Sequence, residues 1–279
     1  MDKSLNNHRS NSDWSSSPAV QDMLDREAKR VTPIKVFFWV LAIVVFYLSF
    51  KESQVDFFKL VRNSSNMRQY ISGYFPPNWL DWRLYMTDTL VTIAMGVWGT
   101  LLAAIASAPL ALMASNNVCP AWIVQPTRRV LDAMRAINEI VFALIFVVAV
   151  GLGPFAGVLA LFVHTTGTLG KLFSEAVEAI ETGPVEGIRA TGASKLQEIQ
   201  FGVIPQVMPL WTSFTLYRFE ANVRSASVLG IVGAGGIGVS LYQSFGAFQY
   251  TKVCAILIVL IAATSLIDFL SSLLRKALV

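Results

Sequence analysis

Long apolar stretches separated by short polar segments run along most of this chain. Residues 36–50 contain no Asp, Glu, Lys or Arg, and neither do the longer windows 89–127, 140–170, 199–217 and 225–251. A membrane-spanning helix needs about 20 apolar residues, so the longest of these windows contain more than bare crossings. Division at glycine and proline predicts helices at about 34–51, 86–114, 124–150, 155–178, 205–225 and 250–274, with Gly151, Gly153 and Pro154 in a tight turn. The pattern predicts an all-α, polytopic membrane protein with about six transmembrane helices.

Segment 225–248 departs from this pattern because it contains six glycines. That many glycines disfavour a straight span, and we expect short re-entrant or interfacial helices buried in protein. Its residues 233–238 also satisfy G-x-G-x-x-G through Gly233, Gly235 and Gly238, with Gly236 at a variable position. A dinucleotide site needs an acidic residue about 20 positions later within a βαβ pattern, and no Asp or Glu occurs between Glu220 and Asp268. We therefore interpret the glycines as close-packed backbone near the outer mouth of a translocation path.

Composition and charge agree with a membrane protein. Hydrophobic residues make up 54% of the 279 residues, charged residues only 14%, and the mean hydropathy is +0.55, whereas soluble domains carry about 25% charged residues. The net charge of +4 reflects basic residues that flank spans, so we expect no nucleic-acid partner. With the N-terminus inside, most Lys and Arg residues fall in cytoplasmic segments, which predicts that both termini are cytoplasmic.

The predicted spans and loops divide the chain into four parts. Residues 1–33 form a cytoplasmic N-terminal tail, and residues 34–84 form the first transmembrane helix and an outer interfacial segment. Residues 85–275 form the transmembrane core, and residues 276–279 form a cytoplasmic C-terminal end.

The polar interval 178–205 between the fourth and fifth predicted helices is the most informative part of the chain. Thr182 can cap a helix, Pro184 suits its first turn, Glu186 favours its positive end, and Gly192 offers a left-handed stop. These residues predict a short helix at about 183–193 lying across the cytoplasmic face. A capping-box start at Ser194 then begins a new helix that leads into the fifth span. A short helix with such definite start and stop signals favours a lever that receives motion from a partner domain. The alternative is that the segment only connects the two spans.

This interval resembles the cytoplasmic loop motif of permease subunits of binding-protein-dependent ABC importers. The motif runs Glu-Ala-Ala, three residues, Gly, nine residues, Ile, one residue, Leu-Pro. In this chain Glu186, Gly192 and Pro205 match, Gly187 and Ile188 replace the alanines, Gly202 replaces the Ile, and Ile204 replaces the Leu. The resemblance implies an ATPase-coupling surface formed by Pro184, Glu186, Gly187, Arg189, Ala190, Gly192 and Ala193.

A narrower resemblance covers about residues 85–275. The strings 151–160, 190–194, 205–209, 217–220 and 222–238 look like the phosphonate-transport permease group, whose members import phosphonates, phosphite or hypophosphite. Asn138 stands where that group is expected to have proline, so the resemblance does not establish a bend in the third helix at this position.

The resemblance also implies the assembly in which the chain works. A second permease subunit would complete the translocation path, and two ATP-binding cassette subunits would bind ATP and Mg, so that this chain binds no cofactor. A periplasmic or lipid-anchored substrate-binding protein would deliver the anion. The site of action would be the bacterial inner membrane.

Charged and polar residues near the end of the fifth predicted helix are candidates for the substrate pathway. They are Arg218, Glu220, Asn222, Arg224 and Ser225, which we place at the outer end of that helix. Glu220 and Arg224 are four residues apart and are predicted to pair, leaving Arg218 to attract an oxyanion. The alternative is that both arginines only fix helix packing or reach outward to the interface.

Other functions have less support in the sequence. His8 lies in the tail and His164 stands among threonines, so no metal site is predicted. The chain has no Walker A motif and no nucleophile–base grouping, so we expect ATP hydrolysis to reside in a partner and this chain not to be an enzyme. A stand-alone channel or secondary transporter for a small anion is the main rival, and a membrane phosphatase is the other.

Overall fold

The computed structural model describes residues 33–53 and 56–278, together with Pro18 and Asp22. The predicted tail 1–33 therefore lies almost wholly outside the described residues. Every regular element in the described part is helical, as the sequence predicts. Contacts divide the chain into two units, residues 1–68 and residues 69–279.

The first unit contains helix α1 (Pro33–Glu52), helix α2 (Phe57–Arg62) and the start of helix α3 (Ser64–Ser72). The bounds of α1 agree with the predicted span at 34–51. Its described side chains from Lys35 onward are exposed in the isolated chain, as expected for a helix whose surroundings are lipid or other subunits.

The second unit contains the remaining helices. They are α4 (Trp82–Met113), α5 (Ala121–Ala136), α6 (Glu139–Val150), α7 (Pro154–Glu178), α8 (Thr182–Ala190), α9 (Ile204–Leu229), α10 (Ile237–Gly246) and α11 (Tyr250–Leu278). A helical turn at Lys195–Gln197 and a π-helical segment at Glu198–Val203 lead into α9. We call the end of this bundle where α7 leads into α8 the α8 end, and the opposite end the far end.

Length and apolar composition identify membrane-crossing helices. In the described residues, α1, α4, α7 and α11 each meet these criteria, and two bent helix pairs raise the number of crossings to six if each pair is one span. The predicted helices at 86–114, 155–178, 205–225 and 250–274 correspond to α4, α7, α9 and α11. The protein is therefore a polytopic α-helical membrane protein.

The prediction of one continuous third helix at 124–150 is wrong. That stretch consists of α5 and α6, which meet at 88°. At the break, the Asn138 side-chain oxygen accepts a hydrogen bond from the Ile140 backbone N–H at 2.9 Å, which caps the start of α6. The third predicted helix therefore does bend at Asn138, although this position lacks the expected proline. An asparagine cap starts α6 at the bend.

Close helix packing holds the second unit together. A Cβ atom on Gly99 would stand 2.7 Å from Leu161 Cβ, and one on Gly170 would stand 2.6 Å from Leu131 Cδ2. Near the α8 end, the rings of Trp211 and Phe173 stack with centroids 4.5 Å apart. Small residues at such crossings let helix backbones approach closely, as is usual in membranes.

The glycine segment lies at the far end. Gly233, Gly235 and Gly236 have φ values of +84°, +83° and +73°, which side chains other than glycine rarely adopt. The Ile237 N–H donates to Thr92 Oγ1 at 2.8 Å, so the segment is fixed against α4. Gly238 is the second residue of α10 and packs on the Ser227 carbonyl. The expected short helices are α10 and a 3₁₀ turn at Gly230–Val232, but residues 225–229 belong to α9.

Candidate functional site

The first candidate site is the exposed surface of α8. The helix runs from Thr182 to Ala190, and its N-cap is Glu181 rather than the expected Thr182. Gly192 follows with φ +81°, which confirms the predicted left-handed stop. The predicted coupling residues are exposed except for Ala193, which is half-buried; the exposed ones are Pro184, Glu186, Gly187, Arg189, Ala190 and Gly192.

The underside of α8 rests on the segment that follows it. Val185 and Ile188 are half-buried and approach Gly202 of the π-helical segment. The Gln197 side chain accepts a hydrogen bond from the Ser194 backbone N–H at 2.8 Å, which confirms the capping-box start. The Glu198 carboxylate, hydrogen-bonded to Arg189, raises the pKa of Arg189 above its ordinary value. The short helix thus has one face packed and one face free.

The second candidate site is a polar cluster halfway along the bundle. We call it the mid-helix cluster, and its members are Thr100, Glu139, His164, Thr165, Arg218, Asn222 and Ser225. Thr100 and Thr165 lie in the middle of α4 and α7. The placement of residues 218–225 at the outer end of the bundle is therefore wrong, because α9 extends to Leu229 and these residues lie at mid-depth.

Asn222 joins three helices at the centre of this cluster. Its side chain is 1% exposed. Its oxygen accepts from Thr165 Oγ1 at 2.9 Å, and its amide nitrogen donates to Thr100 Oγ1 at 2.8 Å. Hydrogen bonds between helices satisfy polar groups that lipid cannot, so Asn222 fixes the positions of α4, α7 and α9.

A glutamate at the bend between α5 and α6 adds negative charge to the cluster. Glu139 is the first residue of α6, and its Oε1 accepts a hydrogen bond from Ser225 Oγ at 2.6 Å. Its Oε2 lies 3.6 Å from His164 Nε2, while His164 Nδ1 lies 2.9 Å from the Ile137 carbonyl oxygen. Because the Ile137 carbonyl oxygen can only accept, His164 Nδ1 is the donor in the second contact.

Arg218 belongs to the same group of charges but lacks a matching partner. Its Nε atom is buried and has no hydrogen-bond partner among the described residues. The Glu139 carboxylate attracts its charge. A buried guanidinium donor without an acceptor costs free energy unless water or an anion satisfies it, so Arg218 is a candidate anion-binding residue.

The predicted pair of Glu220 and Arg224 is wrong. The Arg275 guanidinium donates to Glu220 Oε1 at 2.7 Å, and the Arg224 guanidinium contacts both carboxylate oxygens of Asp268 at 3.0 Å. Both partners come from α11, which packs beside α9. Long side chains on a neighbouring helix therefore replace the expected pairing within one helix.

The sequence analysis did not identify Glu139 and His164 as members of the mid-helix cluster. Glu139 immediately precedes the charge-free window 140–170 and lay inside a single predicted helix, which hid its position at a helix start. A carboxylate directly after a capping Asn was the available signal. Within the part of the chain that the structure describes, no group of three or more His, Cys, Asp or Glu residues could hold a metal ion.

The glycine segment lacks the βαβ unit that a dinucleotide site needs, because the described residues around it contain only helices and turns.

A helical bundle with a short surface helix at one end and charged residues at mid-depth defines a polytopic membrane transport subunit rather than a soluble enzyme.

Comparison with known proteins identifies the family. The family profile described as binding-protein-dependent transport system inner membrane component matches residues 107–279. The chain belongs to this family.

Relatives and solved structures agree with this assignment. The phosphite transport system permease protein PtxC of Stutzerimonas stutzeri is 36% identical over 249 residues, 89% of this chain and 89% of that protein. The phosphate-import permease protein PhnE of Mycolicibacterium smegmatis is 38% identical over 220 residues, 78% of this chain and 41% of that protein. An inward-facing structure of the MetNI methionine ABC transporter has a TM-score of 0.64 at 21% identity and covers 72% of this chain and 99% of that chain. The fold is thus that of an ABC importer permease.

Proposed function

We propose that this chain is the permease subunit of an ATP-driven importer for a phosphonate or a reduced phosphorus oxyanion such as phosphite or hypophosphite. The observation that carries the substrate class is Arg218, whose buried Nε has no acceptor among the described residues at mid-depth in the bundle. A guanidinium matches a phosphorus oxyanion with two parallel hydrogen bonds. The names of PtxC and PhnE, which concern phosphite and phosphate, support the same chemical class.

The partners follow from the two sites. Two ATP-binding cassette subunits, which bind ATP and Mg, would dock on the exposed face of α8. A substrate-binding protein would deliver the anion at the far end, near the glycine segment. A second permease subunit, identical or related, would complete the path, and the half-exposed Arg224–Asp268 pair favours a polar surface or a partner beside it rather than lipid.

The orientation is part of the proposal. With α8 facing ATP-binding subunits in the cytoplasm, six crossings place both termini in the cytoplasm of a bacterial inner membrane. The excess of Lys and Arg in the segments assigned to that side supports this orientation. The bent pair α5 and α6 would then count as one crossing and α9 with α10 as another.

Replacement of Arg218 tests the substrate proposal. The assembled complex, in vesicles with its binding protein, is supplied with phosphite or methylphosphonate, and uptake is measured. Arg218→Ala should lower uptake by about 10- to 100-fold, because a hydrogen bond to a charged group contributes about 1.5–3 kcal/mol. Arg218→Lys, which keeps the charge but loses the two-pronged geometry, should retain an intermediate rate.

Arg129 provides the matched control, because its side chain is 81% exposed on α5. Arg129→Ala removes the same charge outside the mid-helix cluster and should leave uptake unchanged. Normal uptake by Arg218→Ala, or loss of uptake only through failed assembly, would show that Arg218 is a packing residue.

A further inference from the structure

Helix α8 depends on its neighbours for its position on the bundle. The helix has nine residues and none of them is buried. A helix of this length is unstable by itself in water, so contacts with other elements must hold it. The π-helical segment Glu198–Val203 is the element on which it packs.

A charged pair joins the last turn of α8 to the start of the π-helical segment. Arg189 Nε donates to Glu198 Oε1 at 3.0 Å, and a terminal guanidinium nitrogen donates to Oε2 at 3.0 Å. The Glu198 side chain is 8% exposed, and Lys195 Nζ lies farther away at 3.9 Å. A buried carboxylate with a two-pronged arginine partner has a fixed geometry, because both donors must stay in plane with both oxygens.

A close backbone contact lies beside this pair. A Cβ atom on Gly202 would stand 3.2 Å from Val185 Cα and 3.3 Å from Ile188 Cδ1. The absence of a side chain at Gly202 therefore lets α8 lie directly against the π-helical segment. This gives a physical reason for glycine at the position where the loop motif has Ile.

The first turn of α9 holds the other end of α8. The Gln206 side-chain oxygen accepts from the Glu181 backbone N–H at 3.1 Å, and its nitrogen lies 3.3 Å from the Glu181 carbonyl. The same nitrogen donates to the Gly202 carbonyl at 2.6 Å. Both ends of α8 are thus attached to one continuous segment, residues 198–206. Such π-turns occur often at functional positions in helices.

We propose that α8 and residues 195–206 form one rigid lever on α9, in which Arg189 and Glu198 are positioning residues that set the angle of α8. Movement of a docked ATPase subunit then reaches α9 and the mid-helix cluster as movement of the whole lever. Loss of the pair lets α8 tilt on its own, so ATP is hydrolysed without equivalent transport. This inference rests on the proposed coupling to ATP-binding subunits.

A double-mutant cycle in the assembled complex tests the lever. Arg189→Gln, Glu198→Gln and the double variant are reconstituted in vesicles, and phosphite uptake, ATP hydrolysis and the amount of bound ATPase subunit are measured. Each single variant should lower the phosphite taken up per ATP about tenfold. Glu198→Gln, whose side chain is buried outside the docking residues of α8, should do so with ATPase binding intact. The double variant should be no worse than the single variants, because the interaction is already lost.

Two further variants distinguish the lever from a general effect of removing a positive charge. Gly202→Val should reproduce the uncoupling by separating α8 from the π-helical segment, whereas Arg129→Gln should keep the wild-type ratio. An unchanged ratio of phosphite taken up to ATP hydrolysed in the single variants overturns the lever, and so does additive loss in the double variant or loss of ATPase binding in Glu198→Gln. If the wild-type complex itself takes up none of phosphite, hypophosphite and methylphosphonate on ATP addition, the proposed function fails instead.

Discussion

Substitution of Gly167 by alanine should separate α7 from α5, the helix that precedes Glu139 of the mid-helix cluster. Gly167 lies in α7 where α5 crosses it. A Cβ atom there would stand 2.7 Å from the Arg135 backbone nitrogen and 2.8 Å from the Leu131 carbonyl oxygen. Both atoms are backbone, so no side chain can rotate away, and α5 must move by about 0.7 Å to reach an ordinary contact near 3.4 Å.

The expected cost follows from overpacking in well-packed interiors, which amounts to about 1–3 kcal/mol. For a chain of this size that corresponds to a melting midpoint about 2–12 °C lower. The displacement also moves the bend at Asn138, so Glu139 shifts relative to His164 and uptake should fall in the surviving complex.

Heat-induced unfolding of the purified complex measures this effect. Gly246→Ala is the matched control, because a Cβ atom there meets nothing within 4 Å and alanine favours helix. Its midpoint should stay equal or rise. A midpoint for Gly167→Ala within about 1 °C of wild type would refute the close approach of α5 and α7.

Three further predictions concern the coupling helix, an ion pair and the topology. Gly192→Val places a branched residue at φ +81°, which should strain the stop by about 1 kcal/mol or more and abolish ATP-coupled uptake; unchanged coupling would contradict this. Arg224→Ala leaves Asp268 unpaired and should lower complex yield, measured by chromatography, while uptake per assembled complex stays constant; a selective loss of uptake would place Arg224 on the path. Single cysteines at positions 12 and 64 should react with impermeant reagents from opposite sides of the membrane, and labelling from the same side would disprove the orientation.

Much of the architecture could be predicted because it depends on local signals. The long apolar stretches located α1, α4, α7, α9 and α11 to within four residues at each end; α4 begins four residues earlier, and α9 and α11 end four residues later, than predicted. Gly192 was recognised as a helix stop because a left-handed backbone favours glycine wherever it occurs.

The charged contacts could not be predicted because they depend on helix packing. Spacing along α9 favoured a pair between Glu220 and Arg224, but both bind residues of α11, 55 and 44 positions away. The depth of Arg218 was also misjudged, since it depends on the continuation of α9 to Leu229. Glu139 escaped notice because the sequence predicted one continuous helix there, whereas the structure has an 88° bend between α5 and α6.

The break at Asn138 has a consequence for how the protein is made. At about 1.5 Å per residue, the twelve residues of α6 extend about 18 Å, too short to cross a hydrocarbon layer of about 30 Å. The preceding α5 contains four charged residues, Arg128, Arg129, Asp132 and Arg135, so neither helix is a good insertion signal alone. Arg128 pairs at 2.6 Å with Glu178 at the end of α7, a residue that the ribosome adds 50 positions later. We therefore expect stable integration of α5 and α6 into the bilayer to follow the synthesis of α7.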